Sequence, residues 1–542
     1  MTVLKTAGIF AMLMLAACEP KEIKVSVTIV TSACDSKVDP FAGVQYLRVR
    51  ITGEGIVTPI DSVAPTGQVV HEIHIPQIPA GKNRVIEVRG YDADPSAGGK
   101  TLSIGKSLQF EVKDVIADPS KNDPVLVNIF LRKVNAFTPP SSANAPKDCQ
   151  KMKEPRAGHA ATLLKNGKVF ISGGYTISVG NPARVSSSDT EIYNPQTNSF
   201  ESSREMSIAN GVQRIPKAFH TATLLPNAQG SGQVLLWGGE TYTTVNNVVS
   251  PSSIVLVYDP ENNEYGAVPS RKAPAPASIP RSHHRAAIDV NGKVLIVGGQ
   301  TRTTSLVPAD QVEWFDPTTL QYLTIDGVSL PRVGACVAPV KAGQFIAVAG
   351  GKDAVLPPAT LATEIAFFRW DASGAAYKRE ALATPPRLAD PGRLDPACAT
   401  LRDGADLLVM GGASDAPGVV GIASSEIVNV STSTVAPGPT VGSRVGSCSV
   451  QLADGSVMVI GGYTTEGTAA TLHSDGSTVI ITSDKMGGAQ GIGGPPISVP
   501  RYEHTCTALQ DGSVLVTGGR NDQNGVPEIL QDAWIYQPAP VD

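Results

Sequence analysis

The chain has 542 residues and a formal net charge of −5, with 17% charged and 5% aromatic residues. Its 53 glycines and 42 prolines exclude a helical bundle or a coiled coil and favour a turn-rich, all-β protein. The slightly acidic composition argues against nucleic acid as a partner, because binding to phosphates needs clustered basic residues.

The N-terminus predicts export. A short apolar run follows Lys5, and about ten helical residues span only ~15 Å, against the ~30 Å of a bilayer core. Residues 1–17 therefore predict a signal peptide. The run ends in LAAC, whose last residue is Cys18, and this resembles the lipobox of bacterial lipoproteins. The resemblance implies acylation of Cys18 and a lipid-anchored protein of the bacterial cell envelope, in a leaflet that the sequence does not specify; an ordinary signal peptide is the alternative.

Residues 18–135 predict a small β domain. Short segments such as KVSVTIV at Lys24 and YLRVRI at Tyr46 alternate polar and apolar residues, and Gly, Pro, Asp and Asn separate them. This pattern favours an antiparallel β-sandwich of the immunoglobulin or fibronectin type. The stretch 136–147 is rich in Pro, Ser and Ala and predicts a linker.

The remainder of the chain repeats. A Gly-Gly pair closes an apolar strand seven times, about 57 residues apart, and such a period indicates a repeat architecture. The pairs are Gly173-Gly174, Gly238-Gly239, Gly298-Gly299, Gly350-Gly351, Gly411-Gly412, Gly461-Gly462 and Gly518-Gly519.

Each repeat follows the same order of motifs. A basic residue opens it, as in PRAGHAATLL at Pro155, and a tight Asn-Gly or Asp-Gly turn follows in five repeats. After the Gly-Gly strand come a variable loop and a strand such as EIYNP at Glu191. The repeats resemble the kelch family, which implies a seven-bladed β-propeller over residues 148–542. Within the sixth repeat, the glycine-rich residues 487–494 are expected to form a flexible loop.

The seventh repeat is incomplete, because only Ala539 to Asp542 follow AWIYQP at Ala533. Residues 148–154 precede the first repeat, where a fourth strand would lie. We therefore expect this segment to pair with the last repeat and close the ring, which removes exposed sheet edges.

Four repeats place a histidine three positions after the basic residue. One interpretation is a metal site on the central channel, because imidazole binds zinc and copper. The other, which we favour, is a recurring structural contact, so we expect no metal and no other cofactor. The four histidines are His159, His220, His284 and His504.

The basic residues and the cysteines also recur. The basic residues have two interpretations. They form either a ring that attracts an anionic ligand to the channel, or structural ion pairs with glutamates of the third strand; we favour the ion pairs. The basic set is Arg156, Lys217, Arg281, Arg332, Arg393, Arg444 and Arg501, and the glutamates are Glu191, Glu313, Glu364 and Glu426. Four cysteines of the repeats predict either inter-blade disulfides or small buried residues; they are Cys336, Cys398, Cys448 and Cys506. A disulfide between Cys34 and Cys149 would tether the β domain to the propeller.

Loop length points to function. The connections after the Gly-Gly strands are long and variable, and such loops on a rigid scaffold usually carry recognition. We expect a binding or scaffold protein that recognises a protein or glycan through this long-loop face, without catalytic residues. The alternative follows from a resemblance to the galactose oxidase architecture, which implies a copper oxidoreductase whose copper site uses two tyrosines, two histidines and a crosslinked cysteine. A purely structural envelope component is a third interpretation.

Overall fold

The computed structural model describes residues 25–540 with internal gaps. The gaps fall at residues 33, 36, 67–77, 114–124, 178–182, 209–210, 227–231, 243–248, 267–278, 302–306, 354–359, 375, 390, 415–419, 467–470, 484–487 and 523–526. The predicted signal peptide over residues 1–17 and the predicted lipidation site Cys18 lie outside the described residues. The described chain is built of β-strands and short 3₁₀ turns, and it holds no helix long and apolar enough to span a membrane.

The N-terminal domain is a sheet of seven hydrogen-bonded strands. Apolar residues face inward at every second position, as in the second strand, YLRVRIT. The strands are β1 (Val25–Thr31), β2 (Tyr46–Thr52), β3 (Ile60–Pro65), β4 (Gly81–Tyr91), β5 (Thr101–Lys106), β6 (Phe110–Val112) and β7 (Val125–Lys133). Their order is β1-β7-β5-β4-β2-β3, with β6 beside β4 and with β1 parallel to β7. Side chains from β1, β2, β4 and β7 form one core.

Seven four-stranded antiparallel sheets follow and confirm the predicted seven-bladed propeller. We number the blades in chain order and name their strands a to d; the a strands are innermost, because neighbouring a strands contact each other around the ring. In order a to d, the strands of blade 1 are Ala160–Leu163, Val169–Ser172, Thr190–Asn194 and Ser199–Ser202, and those of blade 2 are Thr221–Leu225, Gln233–Trp237, Leu256–Asp259 and Glu264–Tyr265. Those of blade 3 are Arg285–Ile288, Val294–Val297, Gln311–Asp316 and Gln321–Ser329, and those of blade 4 are Val333–Val340, Phe345–Lys352, Ala366–Asp371 and Ala376–Arg379. Those of blades 5 to 7 are Ala397–Leu401, Asp406–Met410, Ser425–Asn429 and Thr434–Pro437; Cys448–Gln451, Val457–Ile460, Thr478–Ser483 and Ala489–Gly494; Thr505–Ala508, Val514–Thr517 and Ala533–Gln537.

The ring is closed by a different strand from the one predicted. Strand d of blade 7 is β8 (Ala136–Thr138), which pairs with Ala533–Gln537, and not residues 148–154. Only two residues separate β8 from β7 of the N-terminal domain, so part of the expected linker 136–147 belongs to the propeller. The rest of that stretch forms a small hairpin of β9 (Ser141–Ser142) and β10 (Ala145–Cys149).

Strand b is buried on both faces in every blade. In blade 3 its four residues, Val294–Val297, are at most 2% exposed. Side chains of adjacent blades interlock there, as Trp237 of blade 2 packs with Val294 and Ile296. This burial on both faces explains why strand b is a continuous apolar run instead of an alternating one.

The b–c connections gather on one face, which we call the long-loop face. Among the described residues, six of them carry a two-stranded hairpin. The hairpins are Tyr175–Ile177 with Arg184–Ser186, Glu240–Tyr242 with Val249–Pro251, Gln300–Thr301 with Val307–Pro308, Ala413–Ser414 with Val420–Gly421, Tyr463–Glu466 with Thr471–Ser474, and Arg520–Asn521 with Glu528–Ile529. In blade 1, Tyr175 at the start of the hairpin pairs with Ala157 of the d–a connection, so both connections meet on this face.

All six described cysteines form disulfides. Cys336–Cys398 joins the a strands of blades 4 and 5, and Cys448–Cys506 joins those of blades 6 and 7. Cys34–Cys149 ties the N-terminal domain to β10, with a Cα–Cα distance of 5.2 Å. Of the two interpretations of the repeated cysteines, the structure therefore supports the disulfides, and it forms the predicted tether.

Candidate functional site

The repeated basic residues are structural. Arg156 is fully buried; its guanidinium donates to the carbonyl oxygens of Gly173 (2.7 Å) and Asp189 (3.1 Å) and to the carboxylate of Glu191 (2.6 Å). Four other repeat arginines likewise donate to the carbonyl of the first Gly-Gly residue; they are Arg281, Arg393, Arg444 and Arg501. The same pairing joins Arg281 to Glu313 and Arg393 to Glu426.

Four blades depart from this pairing. In blades 6 and 7 the repeat arginine pairs with an aspartate just before strand c: Arg444 with Asp475 and Arg501 with Asp532. Glu364 of blade 4 pairs with Arg379 and lies 3.7 Å from Arg387, so the expected pairing with the repeat arginine is wrong there. In blade 2, Leu256 occupies the register position of the strand c glutamate, and the basic residue is Lys217. Its ammonium donates to the carbonyls of Gly238 (2.6 Å) and Ile254 (2.7 Å). Because burial disfavours the charged form, the pKa of Lys217 is lowered to about 7.

The four repeat histidines fill the junctions between blades. The ring of His159 packs against Gly518 of blade 7, where an added Cβ would lie 2.9 Å from its Cε1 atom, and His220 packs likewise against Gly173 of blade 1. Nε2 of His220 lies 2.8 Å from the hydroxyl of Ser172. Burial lowers the pKa of His220 and of His504 to about 3, so these imidazoles are neutral.

Each histidine therefore belongs to a different junction, and the packing explains why histidine and Gly-Gly recur together. In the part of the chain that the structure describes, no group of three or more His, Cys, Asp or Glu side chains is arranged to hold a metal ion.

A ring of left-handed residues surrounds the mouth of the channel. The residue just before the histidine position adopts φ between 46° and 66° in every blade. These residues are Gly158, Phe219, His283, Gly334, Asp395, Gly446 and Glu503. Backbone hydrogen bonds link them from blade to blade: the N–H of Gly158 donates to Glu503, that of Phe219 to Gly158 and that of His283 to Phe219. We call this set the mouth ring.

Four members of the mouth ring carry a side chain in a conformation that favours glycine. A left-handed residue with a Cβ costs roughly 1–2 kcal/mol, and glycine serves the same backbone role in the other three blades. The exceptions are one aromatic residue (Phe219), one imidazole (His283) and two carboxylates (Asp395 and Glu503). Strain of this kind is typical of functional sites.

Aromatic and charged side chains from the long-loop hairpins surround the mouth ring. The phenol of Tyr175 donates to the carboxylate of Glu503 (2.5 Å), and the rings of Phe219 and His283 stack 3.9 Å apart. Arg184 lies over the ring of Tyr175, with 4.5 Å between its guanidinium carbon and the ring centre. Burial and the charge of Glu503 raise the pKa of Tyr175, which keeps its proton for this hydrogen bond.

Sequence reasoning missed the mouth ring. It singled out the constant positions of the repeat, the basic residue and the histidine, and passed over the variable position between them. A signal was present in the sequence. Three repeats have glycine at that position, and the others have Phe, His, Asp or Glu. Of these residue types, glycine is the one that readily adopts a left-handed backbone conformation.

No family model and no curated protein matches the chain. Among solved structures, a fungal alcohol oxidase of the AA5 family in complex with copper is 14% identical, with a TM-score of 0.51, over 75% of this chain and 76% of the oxidase. The structure of YjhT is also 14% identical, with a TM-score of 0.44, and covers 63% of this chain and 99% of YjhT. These likenesses describe the fold.

The comparison corrects one expectation. We expected a protein without enzymatic activity, but an oxidase shares this architecture, so the fold does not support that exclusion. The described residues nevertheless do not fit a copper site of the galactose oxidase type. All six described cysteines are in disulfides, which leaves none for a crosslink to tyrosine, and the four repeat histidines lie at separate blade junctions.

Proposed function

We propose that the protein binds a protein or glycan ligand at the long-loop face, with the mouth ring at the centre of the binding surface. The observation that supports the proposal most strongly is the retention of Phe219, His283, Asp395 and Glu503 in a left-handed conformation that glycine adopts in the other blades. Their side chains cost stability at a position that glycine fills in the other blades, so we infer that a ligand contacts them.

The surroundings suit recognition. Partly exposed aromatic and carboxylate groups lie side by side on a rigid ring, and hairpins from six blades surround them. Aromatic side chains with a few placed polar groups are typical of ligand sites. The placement also agrees with the long loops that led us to this face.

The test replaces Asp395 and Glu503 by glycine in one variant and measures capture on a glycan array and from solubilised envelope proteins. We expect capture to be lost while the free energy of unfolding changes little, because the relief of backbone strain offsets the lost hydrogen bond from Tyr175 to Glu503. Ser433→Gly is the matched control, since Ser433 has φ of 57° in the c–d turn of blade 5, at the other end of that blade. Full capture by the double variant would contradict the proposal.

We propose further that acylation of Cys18 anchors the protein at the bacterial cell envelope, so that the N-terminal domain lies between the membrane and the propeller. Replacing Cys18 by serine is expected to release the protein from the membrane fraction of the producing cell. Recovery of the variant in that fraction, in the same proportion as the unaltered protein, would contradict this anchor.

A further inference from the structure

A chain of polar contacts crosses three blades at the mouth. Nη1 of Arg184, on the blade 1 hairpin, donates to the hydroxyl of Tyr242 on the blade 2 hairpin (3.0 Å). The hydroxyl of Tyr242 in turn donates to Oε1 of Glu240. Nε2 of His283, a mouth-ring residue of blade 3, lies 3.5 Å from the same Oε1 atom.

Glu240 is a buried carboxylate at the centre of this chain. It is 1% exposed, and its Oε2 atom has no hydrogen-bond partner among the described residues. Burial alone would raise its pKa, but His283, Ser282 and Tyr242 together outweigh burial and lower the pKa, so the carboxylate is charged. Burial and Glu240 together raise the pKa of Tyr242, which therefore remains a donor.

His283 is fixed on two sides. Phe219 stacks on one face of its imidazole, and Glu240 occupies Nε2. About one third of its side chain (33%) is exposed, and Nδ1 is the ring nitrogen left for a ligand. A carboxylate behind a histidine holds the ring in one orientation and stabilises the imidazolium when the histidine accepts a proton.

We propose that His283 and Glu240 form a general-base pair, and that the mouth is a hydrolytic site for carboxylic esters. In the proposed reaction, Nδ1 of His283 takes a proton from a water molecule while the water oxygen forms a bond to the ester carbonyl carbon. The C–O bond to the leaving group then breaks, and the imidazolium returns the proton to the leaving oxygen. Glu240 stays ionised throughout, and the products are an acid and an alcohol.

Arg184 supplies the complementary charge. Its guanidinium has five N–H donors, one of which reaches Tyr242, and it is held over the aromatic rings of Tyr175 and Tyr242. A fixed cation linked to the base through Tyr242 and Glu240 suits the negative charge that develops on the carbonyl oxygen during the attack. The three blades thus contribute one group each to the reaction: a cation, a carboxylate and a base.

The test is hydrolysis of p-nitrophenyl acetate by the full exported chain. General-base catalysis contributes ~10²–10⁴-fold, so we expect His283→Gln to reduce kcat/KM by about 100-fold or more. Glu240→Gln is expected to reduce it about tenfold or more, because the imidazolium loses its carboxylate, while Glu240→Asp, which keeps the charge, is expected to retain most of the activity. Glu264→Gln, on strand d of the same blade as Glu240, is the matched control.

Three outcomes would overturn the proposal: no hydrolysis above the buffer rate, equal activity in His283→Gln, or a loss of activity in Glu240→Asp as large as that in Glu240→Gln. Thermal unfolding of each variant separates loss of the fold from loss of the base. These variants leave Asp395 and Glu503 in place, so failure here is distinct from failure of the proposed ligand binding.

Discussion

The first Gly-Gly residue of blade 7 offers a direct test of how the propeller packs. At Gly518, φ is 54°, and a Cβ would lie 2.4 Å from the carbonyl oxygen of Arg156 and 2.9 Å from Cε1 of His159. Both neighbours belong to blade 1, and the N–H of Gly519 already donates to that carbonyl (2.9 Å). Gly518→Ala therefore forces two blades apart at the point where the ring closes.

The magnitude has two parts. The left-handed backbone costs an alanine roughly 1–2 kcal/mol, and the enforced contact with fixed backbone adds about 1–3 kcal/mol, as in other overpacked sites. The expected loss is therefore about 2–5 kcal/mol. Gly455→Ala isolates the first part, because Gly455 has φ of 83° in a hairpin turn and its Cβ would meet no atom within 4 Å.

Urea unfolding of both variants, followed by tryptophan fluorescence, measures the difference. Trp237, Trp314 and Trp370 lie in blades 2 to 4 and Trp534 in blade 7, so the signal comes from the propeller. If Gly518→Ala is no more destabilising than Gly455→Ala, the close approach between blades does not govern the Gly-Gly motif, and our account of the repeat is wrong.

Three further predictions follow from the buried groups. The pKa of His220 is about 3 in the folded state against ~6.5 in the unfolded state, so the free energy of unfolding falls by about 1.4 kcal/mol per pH unit below pH 6.5. In His220→Gln, the urea midpoint should therefore depend less on pH between 6.5 and 4.5; a pH dependence equal to that of the unaltered protein would refute this. Lys217, with a folded pKa of about 7, should make stability rise from pH 7 towards 10, a rise that Lys217→Arg removes and that denaturation at both pH values detects. Replacing Cys448 and Cys506 by alanine should cost ~4 kcal/mol in the same assay, since the bridge closes a 58-residue separation; a loss below 1 kcal/mol would contradict the chain-entropy argument.

The seven blades were predictable because their signals are local and repeated. Each Gly-Gly pair marks the end of strand b, where the backbone must turn against the next blade, and a Cβ at Gly173 would lie 2.2 Å from the carbonyl oxygen of Lys217. The partners of three repeat arginines were predictable for the same reason, since each glutamate recurs at matching phase; these pairs are Arg156–Glu191, Arg281–Glu313 and Arg393–Glu426.

The errors lie where tertiary pairing decides. The sequence AFT of Ala136–Thr138 is too short to show an alternating pattern, and only its pairing with strand c of blade 7 makes it a strand. The glycine-rich residues 489–494, expected in a loop, form strand d of blade 6 because Thr478–Ser483 offers a full set of backbone partners. The mouth ring was missed because its backbone conformation, and not its residue type, is what recurs.

The strand that closes the ring also determines when the propeller can finish folding. Phe137 pairs with Tyr536, about 400 residues later in the sequence, so β8 cannot pair until strand c of blade 7 has been synthesised. Contacts of such long sequence separation form slowly. Until then the open edges of blade 7 and of β8 are available to other chains, which makes the interval before closure the period in which this protein is most exposed to misassembly.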